Sequence, residues 1–339
     1  MIARLMPPLI AMMLLLTHVS AAEPLSSSPI QVVQGTCDAF LEHGRDDLGE
    51  KSTGMFLSVL DRETLTPPEK LPGAPAGVRG GDRCDRFGCN LQHQFNLLRS
   101  LEILSELTGD QRYDDGARQA VLDTFSYAQS PITGLIGWGE HIYYDASTDE
   151  VATLRGDKKI HEMKREFPEW DLVFAQQPEA AREFALGLWE HQIGDQSTGN
   201  FSRHTNWEKH DPRTNYDFPK EASYMLDVWS RAYVDTSEPV FLHAIEVLTK
   251  RYRSKVTSRG LVRHGEYSQE RCIPIEMLYL AINGHRAALR LPAGPARENL
   301  LELTQTLDAG FLGLDHDPLG EGFIRTCDSE TGEVTPWRA

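Results

Sequence analysis

The chain has 339 residues, is 25% charged and carries a formal net charge of −16 at pH 7. That length allows one large core or two smaller ones. A field of that sign disfavours nucleic acid and anionic membranes as partners, and no stretch beyond the N-terminus is long and apolar enough to cross a bilayer.

Residues 1–22, "MIARLMPPLIAMMLLLTHVSAA", combine Arg4, the apolar run Leu9–Leu16 and small residues for cleavage. They read as a signal peptide for a secreted or periplasmic protein. Residues 23–83 form an N-terminal leader and Pro/Gly-rich segment, with 23–35 loose and "GMFLSVLD" (54–61) the best strand. Pro and Gly in 61–83 exclude a helix interior. Cys37, Cys84, Cys89, Cys272 and Cys327 are an odd set, so at least one stays unpaired if all pairing is internal. "CDRFGC" (84–89) lacks zinc-ribbon spacing, and a local disulfide and buried free thiols both remain open there.

Residues 84–339 read as one helical domain. "NLQHQFNLLRSLEILSELTGDQRY" has a wide apolar arc, as for a helix buried on most sides, with Asn90 and His93 expected on one of its faces. "TGD" breaks it, and "RYDDGARQAVLDTFSYA" resumes at helical spacing. "GLIGWGEHIYYD" is expected to hold a short hairpin. Helices follow in "PEAAREFALGLWEHQI", "FPKEASYMLDVWSRAYV", "SEPVFLHAIEVLTKRYRSK", "CIPIEMLYLAINGHRAAL" and "ARENLLELTQTL", with Ser237 a candidate N-cap. The expected fold is all-α: an α/α barrel, or toroid, of helical hairpins with long site-forming loops at one end. A plain multi-helix bundle is the alternative. "RTCDSETGEVTPWRA" ends in loop-like sequence where another hairpin could follow.

Three segments concentrate polar and ligand-type residues: "GWGEHIYYD" (137–145), "KIHEMKREFPEW" (159–170) and "GNFSRHTNWEKHD" (199–211). They offer Glu140, His141, His161, Glu162, His204 and His210, and His191 lies nearby. Mixed His and carboxylate donors suit a borderline divalent ion. Each histidine alone reads first as a hydrogen-bonded or surface residue. The glycines of "GWGEH" allow close backbone approach, and "FSRH" sets an arginine beside a histidine.

Together these segments resemble the metal-dependent pectate lyases of polysaccharide lyase family 2, which are α/α-barrel enzymes. The resemblance runs from "GCNLQH" (88–93) through "GLVRH" (260–264). It implies a metal site of His141, Glu162 and His204, separated by 21 and 42 residues, and a Brønsted base at Arg203. Family members are considerably longer than this chain. Guanidinium is ordinarily protonated, so a basic Arg203 needs a nearby cation and desolvation; a bidentate clamp on a substrate carboxylate is the other role.

The expected function is β-elimination of a uronate polymer, pectate foremost, by a secreted monomer. Its cofactor would be Mn²⁺, Co²⁺ or Ni²⁺ in preference to Ca²⁺. Expected substrate contacts are Trp138, Tyr144, Lys220, Arg263, Asn90 and His93. Two alternatives stand: an α/α-barrel glycoside hydrolase with a carboxylate pair drawn from Glu140, Asp145, Asp217 and Glu221, and a non-catalytic carbohydrate-binding protein.

Overall fold

Proline opens most of the helices. The computed structural model describes residues 28–156, 158–264, 270–314 and 322–335; residues 1–22, read from sequence as a signal peptide, lie outside them. Among them are α1 (Pro29–His43), α2 (Phe95–Thr108), α3 (Gln111–Tyr127), α4 (Trp170–Gln176), α5 (Pro178–Gly187), α6 (Pro219–Thr236), α7 (Pro239–Lys255), α8 (Pro274–Arg290) and α9 (Pro295–Leu312). The first N–H groups of a helix have no internal partner, so a ring that lacks one and presets φ suits that position.

The short turns obey equally local rules. Gly109 ends α2 in the left-handed region at φ 74°, and the Asp110 side chain accepts from Arg112 N to cap α3. "TGD" thus stops one helix and starts the next. Ser237, expected to cap α7, instead ends α6 at φ 60°, and Glu238 takes the cap position. The helix α1 falls within the stretch read from sequence as leader, and it packs on α2 and α3 with Cys37 in the core.

Paired helices build the body. Packed contacts join α2 to α3, α4 to α5, α6 to α7 and α8 to α9, and α6 also lies along α8. Nearly the whole circumference of α6 is buried, including Glu221, Ser223, Asp227 and Ser230. An inner helix of a barrel has that character, since it has neighbours on every side. The turns within each pair are short. The connections 128–169, 188–218 and 256–273 between pairs are long.

Those long connections are stitched by two- to four-residue strand pairs. Gly88–Cys89 pairs with Tyr143–Asp145, which turns back on Glu150–Ala152; the expected hairpin therefore lies at 143–152. Ile193–Asp195 pairs with Asn200–Phe201, and Arg271–Cys272 with Cys327–Asp328. Thr53–Phe56 pairs with Arg45–Asp46, so only the first three residues of the expected strand 54–61 are in a strand.

Candidate metal centre and active site

One register brings two of the candidate ligands together. Ile160–His161 pairs antiparallel with Thr205–Asn206, with His161 opposite Thr205. Continuing that register by one step sets Glu162 opposite His204. The third candidate arrives on the 137–142 loop, held by Asn90, whose amide donates to Gly139 O at 2.7 Å and Ile142 O at 3.0 Å.

Gly139 makes the approach possible. Its φ is +110°, and a Cβ there would stand 2.6 Å from the backbone oxygen of Glu162. An L side chain fits neither the dihedral nor the gap. The close approach read from "GWGEH" is therefore made to the backbone of a candidate ligand.

The three ligand-type side chains meet. His141 Nε2 lies 3.2 Å from His204 Nε2 and 3.7 Å from Glu162 Oε2, and His204 Nε2 lies 3.5 Å from that same oxygen. One donor atom from each falls within 4.8 Å of the others. Glu162 is buried, and burial alone would raise its pKa; the adjacent His204 imidazole and the charge of Arg203 hold it down at about 2. Burial lowers His141 to about 4, against the pull of Glu162. An ionised carboxylate and a neutral imidazole are the forms that ligate a metal. Among the described residues neither carboxylate oxygen of Glu162 has a hydrogen-bond partner, although Arg203 is ion-paired to it. Two imidazole nitrogens and a buried carboxylate with spare lone pairs fit a divalent ion of the Mn²⁺ to Zn²⁺ series, which takes such mixed donors.

Arg203 faces the same point. One guanidinium nitrogen is 3.0 Å from Glu162 Oε1 and the other donates to Tyr216 Oη at 3.2 Å. Its Cζ sits 4.9 Å from the centre of the Tyr216 ring and 4.7 Å from that of Phe218. Two aromatic faces and a carboxylate fix a long side chain that would otherwise be mobile. Tyr216 and Phe218 are not among the site residues expected from sequence, where Phe218 reads only as the first residue of an apolar helix stripe. Their signal was weak, two aromatics in the polar run "TNYDFPK". Lys220 is also near: its pKa, which burial would lower, is raised by Glu221, Glu276 and Glu162, so it shares their field.

Several expected sugar contacts are corrected by burial. Trp138 is fully buried among Phe125, Phe167, Trp170 and Phe184, beneath the site. Tyr144 is fully buried too, and its hydroxyl donates to Asp149 at 3.3 Å. Neither ring has a face for a sugar. Asn90 is equally closed, its amide used to hold the ligand loop. Asn90 and His93 also precede α2 rather than sharing its face: Asn90 caps a 3₁₀ turn, Leu91–His93. His93 contacts Cys84 Sγ at 3.6 Å and lines a pocket with Asp82, Arg83 and Cys84. Arg263 pairs with Glu330 at 2.5 Å and lines a separate pocket of about 220 Å³ with Asp217, Arg251 and Lys255.

The remaining histidines stay apart from the cluster. His161 is buried with Nδ1 2.8 Å from Ile136 O, and His191 and His210 face each other at 3.2 Å. The carboxylates considered for hydrolysis are engaged singly: Glu140 with Lys164, Asp145 with its own turn at Ser147, Asp217 with Lys255 and Arg251, Glu221 with Lys220.

Residues 75–242 match the family model described as Pectate_lyase_2, periplasmic pectate lyase. The chain is 28% identical over 123 residues to the pectate disaccharide-lyase of Dickeya dadantii (strain 3937), which covers 35% of this chain and 22% of that protein. The match thus spans about a fifth of the curated relative's length. Among solved structures, a sugar epimerase from a ruminal bacterium aligns at 8% identity and TM-score 0.52, covering 88% of this chain and 75% of that one. A D-mannose isomerase aligns at 12% identity and TM-score 0.50, covering 92% and 78%. At such identities the likeness is one of fold alone. Among the described residues no helix is long and apolar enough to cross a membrane. The fold is thus an α/α barrel, and the half of the chain that carries His141, Glu162, Arg203 and His204 is similar to the pectate lyases.

Proposed function

We propose that this chain is an exported polysaccharide lyase that cleaves a uronate polymer, pectate foremost, by metal-assisted β-elimination. One observation carries the reading: His141, Glu162 and His204 converge at metal-ligand spacing with the Arg203 guanidinium against them. The pectate-lyase match over 75–242 supports the substrate class. Mn²⁺, Co²⁺ and Ni²⁺ suit the two-imidazole, one-carboxylate set better than Ca²⁺, which prefers all-oxygen shells.

In a uronate the C5 proton is acidified by the adjacent carboxyl group. His141, Glu162 and His204 would hold a divalent cation, which would supply Lewis-acid stabilisation of the negative charge on that carboxyl. Arg203 is the proposed proton acceptor at C5. It is largely shielded from water between Tyr216 and Phe218, and a cation at its neighbours would add the electrostatic pressure that guanidinium deprotonation needs. Lys220, in the field of Glu162, Glu221 and Glu276, is the proposed cationic contact for a substrate carboxylate. Arg263 and His93 would then touch only more distant sugars.

Elimination leaves a C4–C5 double bond that absorbs in the ultraviolet. Purified protein on polygalacturonate should give that absorbance, lose it with a chelator and regain it with added Mn²⁺ or Co²⁺. Reducing ends without the absorbance would mean hydrolysis. Neither signal on any uronate polymer would leave a binding protein.

A further inference from the structure

His141 has a second nitrogen, and what faces it follows from the fold. If Nε2 points to the ion, Nδ1 points the opposite way, into the protein. Nδ1 is buried and has no hydrogen-bond partner among the described residues, and it lies 3.5 Å from Asp82 Oδ1 as an ion-pair contact. Asp82 belongs to a 3₁₀ turn, Gly80–Asp82, at the end of the Pro/Gly-rich stretch. Arg79 and Arg155 both bind its carboxylate. Asp82, Glu140 and His141 form a second set whose donor atoms lie within 4.8 Å. Arg79, Arg155 and Lys164 already balance those two acids, so the set is a charge-compensated support and not a second ion site.

A neutral imidazole carries one proton. With the proton on Nε2 the ring would point a donor at the ligand cluster and could not ligate through that atom. A carboxylate at Nδ1 favours the other tautomer and fixes the ring plane. We propose that Asp82 is a positioning residue that keeps the His141 proton on Nδ1 and so leaves the Nε2 lone pair for the metal. The inference rests on the metal-site reading above, but the tautomer it requires is measurable without metal.

Two measurements on the full-length mature protein test it. In metal-free protein, nitrogen-15 correlation spectra should show His141 protonated on Nδ1, and Asp82→Ala should redistribute that proton towards Nε2. In titration calorimetry with Co²⁺, Asp82→Ala should weaken binding roughly 10–100-fold, the usual cost of losing such a partner. Asp82→Asn, whose side-chain carbonyl offers Nδ1–H an acceptor in the same place, should stay within a few-fold of wild type. A His141 proton on Nε2 in the wild type overturns the proposal, as does wild-type Co²⁺ affinity in Asp82→Ala. If Asp82→Ala fails to fold, the wild-type spectrum and Asp82→Asn still decide. A wild type with the expected tautomer but no Co²⁺ binding would keep Asp82's role and sink the metal reading alone.

A different observation carries a second inference. Cys272 and Cys327 stand directly opposite each other in the strand pair Arg271–Cys272/Cys327–Asp328, and both are fully buried. Opposed antiparallel residues hold their Cβ atoms ~4.5–5.5 Å apart, within a small adjustment of disulfide geometry. The neighbouring Cys272 thiol lowers the pKa of Cys327. We propose that these two cysteines form a disulfide when the chain folds under oxidising conditions. Before the strands close, one thiolate attacks glutathione disulfide and releases one glutathione. The other thiolate displaces the second, so two thiols are oxidised as one disulfide is reduced. The bond would fasten the strand Cys327–Asp328, two residues before Glu330, the partner of Arg263, to the segment that leads into α8.

Refolding the full chain in oxidised and reduced glutathione, followed by alkylation and peptide mapping, should give one peptide pair joined through residues 272 and 327, two hydrogens lighter than the free pair. Reduction should lower the melting temperature, and Cys327→Ser should make melting insensitive to reductant. Alkylation of all five cysteines after oxidative refolding, or a link only between Cys84 and Cys89, overturns the proposal.

Discussion

Gly139→Ala tests how the ligand cluster is assembled. Alanine would bring two separate costs. At φ +110° an L residue is strained by about 1–3 kcal/mol. Its Cβ would also stand 2.6 Å from Glu162 O, 3.1 Å from Glu162 Cβ and 3.2 Å from Glu162 N. Reaching even 3.0 Å requires the Glu162 backbone to retreat by about 0.4 Å, and such overpacking costs about 1–3 kcal/mol. The total of about 2–6 kcal/mol corresponds to a melting temperature lower by roughly 3–9 °C in a chain of this size. A shift of that length also exceeds the ~0.2 Å tolerance of metal–ligand distances, so metal affinity should fall in parallel. Gly109→Ala is the control: its φ is +74°, but nothing lies within 4 Å of the added Cβ. It should cost about 1–2 kcal/mol from the dihedral alone and leave metal binding unchanged. Differential scanning fluorimetry and Co²⁺ calorimetry read both effects. If Gly139→Ala melts with Gly109→Ala and binds Co²⁺ like wild type, the idea that this contact sets the position of Glu162 is wrong.

Other expectations follow from individual side chains. Arg203→Lys should bind Co²⁺ within a few-fold of wild type yet lose about 10²–10⁴-fold in kcat/KM on polygalacturonate, the range of a general base; near-wild-type turnover would exclude Arg203 from the proton transfer. Asp217 is buried between Lys255 at 2.6 Å and Arg251 at 3.1 Å. Asp217→Asn leaves two cations uncompensated and should cost about 3–5 kcal/mol in urea unfolding; a loss below about 1 kcal/mol would show that the cluster relaxes into water. His161 is held at about 4 by burial, below its unfolded value near ~6.5. The unfolded chain therefore takes up the proton first. That contribution is present above pH ~6.5 and is lost as the pH falls through about 4, by about 3 kcal/mol at ~1.4 kcal/mol per pH unit. His161→Asn should flatten that part of the stability profile, and an unchanged slope would refute the assignment.

The sequence by itself determined most of the helical framework. Apolar spacing, prolines at helix starts and the "TGD" break are local instructions, and α2, α3 and α5 through α9 lie where they pointed. The ligand set was named from residues and from the resemblance, and nothing in local pattern sets His141 near a strand pair twenty residues downstream. Three tertiary facts do so: the His161–Thr205 register, the Asn90 hold on the 139–142 loop, and the side-chain-free approach of Gly139 to Glu162. Burial was the other quantity hidden in the sequence. Trp138 and Tyr144 look like sugar-stacking rings in "GWGEHIYYD", but an aromatic in a loop serves core and surface equally well, and only packing assigns the side. The same holds for Asp82, which reads as one more acid in a Pro/Gly-rich leader until the fold sets it 3.5 Å from His141. Composition and periodicity act along the chain over a few residues and therefore fix elements. A cluster such as His141, Glu162 and His204 needs side chains far apart in sequence to meet within a few ångströms, and only the tertiary packing of the long loops brings that about.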